Sequence, residues 1–158
     1  MRRLLRTLFL LEVGAWLGMI TAAAFVKRAL PSRGDEESDE VSLVAVLNGV
    51  DLKSHAASFR GGSMFAWLGG IAVDLRDAQL APDARLRVST LFGGIAVRIP
   101  AGWQVESSVK ALFGGVDVKA LGANEPAAPT LTLEGMALFG GIAVGAKPEP
   151  APAPAPEA

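Results

Sequence analysis

The chain has 158 residues, a net charge of −1 and no cysteine, which leaves room for one domain of about 100 residues with flanking segments. The near-neutral balance, and the lack of a basic run with interleaved aromatic residues, argue against nucleic acid as a partner. The absence of cysteine excludes disulfides and zinc sites built from thiolates.

The N-terminal residues predict a membrane anchor. Residues 1–6 form a basic tail with three arginines, and the next twenty residues hold a single charge, Glu12, before two basic residues end the apolar run. Twenty residues of helix span about 30 Å, which matches the hydrocarbon core of a bilayer. We therefore predict a transmembrane α-helix over residues 7–28. A cleaved signal peptide, with small residues at 21–25 near its cleavage site, is the alternative.

The flanking charges and the small residues of this helix predict its orientation and its contacts. Basic residues flank both ends almost equally, and the free amino terminus tips the balance toward a cytoplasmic N terminus. We expect a single-pass protein of the cell membrane with its domain outside the cytoplasm. Gly14, Gly18 and Ala22 share one face of the helix, and this spacing lets two membrane helices approach closely, so the face is a candidate homo-oligomer contact.

Two segments of biased composition flank the domain. Residues 29–40 form a charged linker that holds the domain off the bilayer. Residues 147–158 alternate proline and alanine, a composition typical of an extended, disordered spacer. The domain itself is predicted over residues 41–146.

Copies of one short phrase organise the domain. Four copies read LGGIAVDL, LFGGIAVRI, LFGGVDVKA and LFGGIAVGA, and a degenerate copy, LNGVDLK, precedes them. The first position of each glycine pair falls at residues 48, 69, 93, 114 and 140, which gives spacings of 21, 24, 21 and 26. Repetition at such a period indicates stacked units that each bury one face against the next.

Each copy predicts strands with one buried face. Large apolar residues alternate with small or charged ones after each glycine pair, and the segments before the pairs also alternate, which is typical of β-strands. We predict a mostly β fold, a short right-handed parallel β-solenoid of about four to five coils. An antiparallel β-roll or sandwich is the alternative. The residues predicted to stack inside, in chain order, are Ile71, Ile95, Val116 and Ile142.

The glycine pairs are predicted to form the corners of the coils. Glycine adopts positive φ without steric cost and lets backbones approach closely where a strand turns. On this interpretation Gly94→Val destabilises the domain if Gly94 has a positive φ. The predicted corner residues are Gly69, Gly70, Gly93, Gly94, Gly114, Gly115, Gly140 and Gly141.

The domain offers few groups for chemistry, so its outward positions are the candidates for recognition. It has no cysteine, no tyrosine and one histidine, and we predict a non-enzymatic protein without cofactor or metal. Asp74, Arg98 and Lys119 occupy equivalent outward sites, and stacking in chain order would place Arg98 between the other two. This arrangement predicts a flat, mildly basic face that suits an acidic partner surface or anionic lipid headgroups.

The order of the motifs carries a family resemblance. VDLRDAQL, then LFGGIAVRIPAGWQV, then LTLEGMALFGGIAV resembles the LiaF-like C-terminal domain of cell-wall-active-antibiotics response proteins over residues 41–146. The resemblance implies a compact stacked-β domain of a bacterial envelope protein that, in better-known members, restrains a membrane sensor kinase of a cell-envelope stress response. Those members carry several transmembrane segments, whereas this sequence offers one.

These lines together predict the function. We expect a protein-interaction or regulatory module in the cell-envelope stress response, with the membrane and a sensor kinase or another envelope protein as partners. A self-assembling structural scaffold of the envelope is the alternative.

Overall fold

The computed structural model describes residues 32–119 and 128–146, together with residues 18, 21, 22, 24, 25 and 28, which are helical. Within these described residues no helix has the length and apolar character needed to cross a membrane. Most of the helix predicted over residues 7–28 lies outside the described residues, as do both predicted tails.

Seven strands make up the domain, and every pairing between them is parallel. The prediction of a mostly β, parallel fold is confirmed, and the antiparallel roll or sandwich is wrong for the described strands. The strands are β1 (Glu40–Val46), β2 (Gly49–Lys53), β3 (Phe59–Asp74), β4 (Leu80–Arg98), β5 (Gln104–Ser107), β6 (Lys110–Lys119) and β7 (Thr130–Gly145).

The strands stack in five layers, each with a first limb before its glycine pair and a second limb after it. In spatial order, layer 1 holds β1 and β2, layer 2 is β3, layer 3 is β4, layer 4 is β7, and layer 5 holds β5 and β6. The C-terminal repeat, which contains Gly140, therefore lies between the repeats that contain Gly93 and Gly114. Ile95 pairs with Ile71 and Ile142, and Val116 pairs with Ile142. The predicted neighbours Ile95 and Val116 are two layers apart.

Charge and burial explain why β7 is central and β6 is at the edge. The inward residues of β7 include Leu133 and Ile142, which are at most 1% exposed. Strand β6 carries an exposed Asp117 in an outward row, and a charged side chain is tolerated on an edge strand because water solvates it on one side. Asp51 occupies the same row as Asp117 at the opposite edge, whereas the three inner layers have alanine there.

The inward side chains of both limbs form one core. Met64, Leu86 and Leu133 of the first limbs cluster with Ile71 and Ile95 of the second limbs, and each is at most 2% exposed. Burying a side chain of this size contributes about 1.5 to 3 kcal/mol. The core is continuous through the stack, so the rows of matched aliphatic residues hold the layers in register.

The first glycine of each pair is required by the distance between layers. Gly93 has a φ of +146°, and a Cβ atom on it would lie 1.9 Å from the carbonyl oxygen of Gly69. Equivalent Cβ atoms on Gly69, Gly114 and Gly140 would lie 1.8 to 2.2 Å from a carbonyl oxygen of the neighbouring layer. A side chain at these positions would push adjacent layers apart.

The second glycine of each pair is under no such constraint. Gly94 is not among the residues with positive φ, and a Cβ atom on it would meet the Gly141 carbonyl oxygen at 3.7 Å, an ordinary contact. The prediction for Gly94→Val required a positive φ at Gly94, and this requirement is not met. The steric constraint lies at Gly93 instead. A Cβ on Gly70 or Gly141 would come no closer than 3.7 Å to another group, and around Gly115 there is open space.

Candidate interaction face

The second limbs present their outward side chains on one surface, which we call the outer face. Register places four rows across it, each running from layer to layer: aromatic residues at the corner, then glycines, then mostly alanines, then charged residues at the strand ends. The charged row in layer order is Lys53, Asp74, Arg98, Gly145 and Lys119.

The charged row differs from the prediction at one place. Asp74 and Arg98 are adjacent, with Arg98 Nη1 at 4.0 Å from Asp74 Oδ2. Arg98 and Lys119 are not adjacent, because layer 4 places Gly145 between them. The contact between Arg98 and Lys119 that stacking in chain order predicted is therefore absent from the charged row.

The Asp74 carboxylate is held in place by Arg76, which follows the end of β3. The Arg76 guanidinium donates to both carboxylate oxygens, with Nε to Oδ1 at 2.9 Å and Nη2 to Oδ2 at 2.8 Å, and the Arg76 backbone N–H donates to Oδ1 at 3.1 Å. These bonds, chiefly the side-chain bond from Arg76, hold the pKa of Asp74 below its ordinary value. With its side chain only 12% exposed, Asp74 fixes the turn after β3 and offers little surface to a partner.

The outer face is balanced in charge. Lys119 Nζ lies 2.9 Å from Asp117 Oδ2, so its charge is paired within layer 5. The mostly alanine row and the charged row together hold three acidic and three basic residues, namely Asp51, Asp74 and Asp117 with Lys53, Arg98 and Lys119. The mildly basic face expected from Arg98 and Lys119 is thus neutralised by the acids at both edges. Arg98 keeps a side chain that is 57% exposed.

A shallow apolar groove of about 530 Å³ runs over the second limbs of layers 1 to 4. Glycine and alanine give it a low floor, because neither residue projects far above the sheet. Its outward lining residues in the inner layers are Gly70, Ala72, Gly94, Ala96, Gly141 and Ala143. A flat floor of this kind admits an extended chain or a small apolar side chain lying directly on the strands.

Three phenylalanines form a stacked ladder at the corner end of the outer face. Phe139 stacks on Phe92 and on Phe113, with ring centroids 4.9 Å apart in both pairs and interplanar angles of 3° and 6°. The rings remain 42% to 63% exposed. Trp67 continues the row, because it is the register partner of Phe92. Exposed aromatic residues in a contiguous row indicate a contact surface.

This ladder is the feature that the sequence analysis missed. Its signal is the phenylalanine of LFGG, which is present in three copies and absent from LNG and LGG. In the two layers without it, Leu47 and Leu68 turn the corner with φ of +57° and +53°. The two register shifts beside Trp67 cancel, because β3 has Trp67 and Leu68 where β4 has Leu91 and Phe92.

Lys53, at the layer 1 end of the charged row, forms an ion pair with an acid in the turn after β3. Lys53 Nζ lies 2.8 Å from Asp77 Oδ2, and this bond lowers the pKa of Asp77 and raises that of Lys53. His55 Nδ1 is 4.0 Å from the same oxygen. Within the part of the chain that the structure describes, no group of three or more His, Cys, Asp or Glu side chains is arranged to hold a metal ion.

Two curated proteins are similar to this chain. An uncharacterized protein of Mycobacterium tuberculosis strain CDC 1551 / Oshkosh is 27% identical over 121 residues, and an uncharacterized protein of strain ATCC 25618 / H37Rv is 26% identical over the same length. In each case the alignment covers 75% of this chain and 60% of the relative. No family model matches the chain. No solved structure matches it either.

Proposed function

We propose that this chain is a non-enzymatic, single-pass membrane protein whose β domain is an interaction module in a bacterial cell-envelope stress response. The observation that carries the proposal is the outer face, where an exposed phenylalanine ladder lies at one end of an apolar groove and the charged row lies at the other. The resemblance to the LiaF-like C-terminal domain suggests the setting, and the mycobacterial relatives are consistent with a bacterial protein. The fold in this proposal is a short right-handed β-solenoid, the hand that parallel crossovers favour.

The chemistry of the outer face suits a protein segment as partner. Aromatic residues are enriched at the centres of protein interfaces because they bury a large area at a low cost in side-chain entropy. The glycine and alanine floor beside Phe92 and Phe139 accommodates an extended backbone, and Arg98 at the far side offers a hydrogen-bond donor. The proposed partner is a membrane sensor kinase or another envelope protein that presents an extended apolar segment with an acidic residue.

Site-specific photocrosslinking in cells tests this proposal. A benzophenone amino acid at Ala96, which is exposed on the outer face of β4, should capture a membrane protein of defined mass. Arg87 is exposed on the first limb of the same strand, so the same probe there is the matched control. Capture from both positions, or from neither, would contradict a contact surface on the outer face.

Charge reversal tests whether the charged row of the outer face contributes to the capture of a partner. Arg98→Glu with Lys119→Glu should weaken capture from position 96 while the fold persists, because both side chains are exposed. Arg85→Glu with Arg87→Glu, on the first limb of β4, is the control with the same change in charge. Equal loss in both double variants would show that net charge, not the outer face, governs the interaction.

The location of the domain needs its own measurement. Protease accessibility on intact cells should show cleavage within the linker over residues 29–40 if the domain lies outside the cytoplasm. Protection in intact cells, with cleavage only after lysis, would place the domain on the cytoplasmic side and limit its partners to those present there.

A further inference from the structure

We propose that the corner end of the domain docks on the lipid bilayer and inserts its exposed apolar side chains into the membrane interface. The corner end is the edge of the stack where each first limb turns into its second limb. The inference rests on the proposed function in one respect, the N-terminal membrane helix, and it adds a fixed orientation of the domain on the membrane that this helix enters.

The exposed large apolar side chains of the domain are all at the corner end. They are 42% to 63% exposed and comprise Leu47, Phe92, Leu112, Phe113, Met136 and Phe139. Within residues 32–119 and 128–146 no other large apolar side chain is exposed, so the other edges of the domain have no comparable surface. Aromatic and aliphatic side chains gathered at one edge suit the membrane interface, where aromatic residues are enriched.

The outward rows that meet at the corner end carry almost no charge. On the first limbs the last row before the corner is Val44, Phe65, Ser89, Met136 and Lys110, and the aromatic row that follows it is Val46, Trp67, Phe92, Phe139 and Phe113. Together these two rows contain no acid and one base, Lys110. A lysine beside an apolar surface can reach the lipid headgroups with its ammonium group. Anionic lipids therefore meet no repulsion from acidic side chains in these rows.

The chain enters the domain at this same end. Arg33 exchanges two backbone hydrogen bonds of 2.7 Å with Ser42 in an antiparallel bridge, and the Ser32 hydroxyl accepts from the Val44 N–H at 3.0 Å. From Arg33 back to Ser32, the chain thus moves along β1 toward Val46, which lies in the aromatic row. The segment that precedes the domain therefore leaves it toward the corner end.

Little chain separates this entry point from the predicted membrane helix. The His55 and Arg60 N–H groups donate to the carbonyl oxygens of Glu36 and Asp39 at 2.6 and 2.7 Å, so the acidic stretch before β1 is bonded to the domain. Only residues 29–31 lie between the end of the predicted helix and Ser32, and the chain from residue 28 to residue 32 spans at most about 14 Å. The bilayer surface at the end of that helix is therefore within reach of the corner end.

Docking stands the groove of the outer face upright on the membrane. The aromatic row crosses the five layers in four steps of about 4.8 Å, or about 19 Å in all, and this row lies along the bilayer surface. The second limbs then rise from the surface, and the glycine and alanine floor between Phe92 and Arg98 opens to the side. The segment of a partner that occupies this groove is then the stretch beside the partner's own membrane span.

Spin-label accessibility tests the docking on the full chain in nanodiscs of equal parts phosphatidylcholine and phosphatidylglycerol. The chain has no native cysteine, so single labels can be placed at Leu112→Cys on the corner end and at Glu106→Cys, an exposed control in the same layer and away from the corner. A third label at Gly18→Cys reports on the predicted membrane helix. Oxygen dissolves in the bilayer and a nickel chelate does not, so docking predicts a ratio of oxygen to nickel collision rates several-fold higher at 112 than at 106.

Other arrangements give different collision rates. An equal ratio at 112 and 106 would overturn the docking, and low collision rates with both reagents at 112 would overturn it too, because they indicate that protein covers the corner end. The label at 18 separates this failure from failure of the proposed function. Lipid values at 18 with aqueous values at 112 refute the docking alone, whereas aqueous values at 18 refute the membrane helix.

Variants that carry the label at position 112 test which side chains insert. Phe92→Ser with Phe139→Ser should return the label to aqueous values, and Phe92→Leu with Phe139→Leu should retain lipid values. Arg98→Glu with Lys119→Glu, at the far end of the second limbs, should leave the label in the lipid, and so should removal of phosphatidylglycerol, because the inserted side chains are apolar. Loss of lipid contact on either of these two changes, or its persistence in the serine variant, would contradict insertion of the aromatic row.

Discussion

Ile142 lies against Ile95, and through this contact the C-terminal strand occupies a central layer of the sheet. Val116, the next aliphatic residue of this row along the chain after Ile95, lies beyond Ile142 at the edge. In this row the buried isoleucines therefore occupy the inner layers and the partly buried valine occupies the edge, so the layers do not follow the order of the chain.

This order predicts unequal costs of truncation. Ile142→Ala should destabilise the domain by about 2 to 5 kcal/mol, because Ile142 is 1% exposed and its removal leaves a cavity. Val116→Ala should cost about 1 kcal/mol, since Val116 is only partly buried at the edge. Urea unfolding followed by tryptophan fluorescence measures both values. A larger cost for Val116 than for Ile142 would favour stacking in chain order.

The corner sterics predict opposite outcomes for two adjacent glycines. Gly93→Ala should cost more than about 3 kcal/mol, because its Cβ would overlap the Gly69 carbonyl oxygen and its backbone is strained for any other residue. Gly94→Ala should change stability by less than about 1 kcal/mol, since its Cβ has an ordinary contact distance. Thermal unfolding of the two variants checks the difference, and equal melting temperatures would contradict the account of the corner.

The Asp74–Arg76 bonds predict a pH dependence. A carboxyl whose pKa is lowered in the folded state stabilises the fold at pH values above its ordinary pKa of 3.8, and loses that contribution as the pH falls through its folded pKa. Stability should therefore decrease below about pH 4, and Asp74→Asn should make this decrease shallower. Asp51→Asn, on the exposed edge strand β2, is the control. A decrease of the same steepness in Asp74→Asn would show that other acids cause it.

The phenylalanine ladder predicts a variant that affects binding more than folding. Phe139→Ser removes the central ring and both stacking contacts, each of which is worth about 0.5 to 1.5 kcal/mol beyond simple burial. Because the ring is 42% exposed, the core should persist while crosslinking from position 96 is lost. Phe139→Leu, which keeps an apolar side chain, should retain part of the capture. Full capture by the Phe139→Ser variant would show that the ladder does not contribute to the interaction.

The repeats predicted the faces of the strands well and their order poorly. Alternation assigned Ile71, Ile95 and Ile142 to the core, and all three are buried. Equivalent repeats are interchangeable in a stack, however, so periodicity alone cannot decide which repeat is central. The deciding signal was the aspartate at Asp51 and Asp117, which identifies the edge layers because alanine occupies that row in every inner layer.

The candidate site was predictable only in part, for a related reason. The outward positions of Arg98 and Lys119 follow from alternation, but their separation depends on the layer inserted between them. The importance of Phe92, Phe113 and Phe139 as a group depends on three corners being superimposed, which no single repeat reveals. The prediction that both glycines of each pair are required at the corner was right for the first glycine and wrong for the second. The two glycines look identical in sequence and differ only in the direction in which a Cβ would point.

The position of β7 has a consequence for synthesis of the protein. Strands β5 and β6 have no substantial contacts with any strand other than β7, and β7 is translated after both. The nascent chain therefore holds an exposed edge at layer 3 and an unattached layer 5 until its last strand is complete. We expect the domain to reach its native state only after β7 has emerged from the ribosome, and a premature stop before Thr130 to yield a product that chaperones and proteases recognise as unfinished.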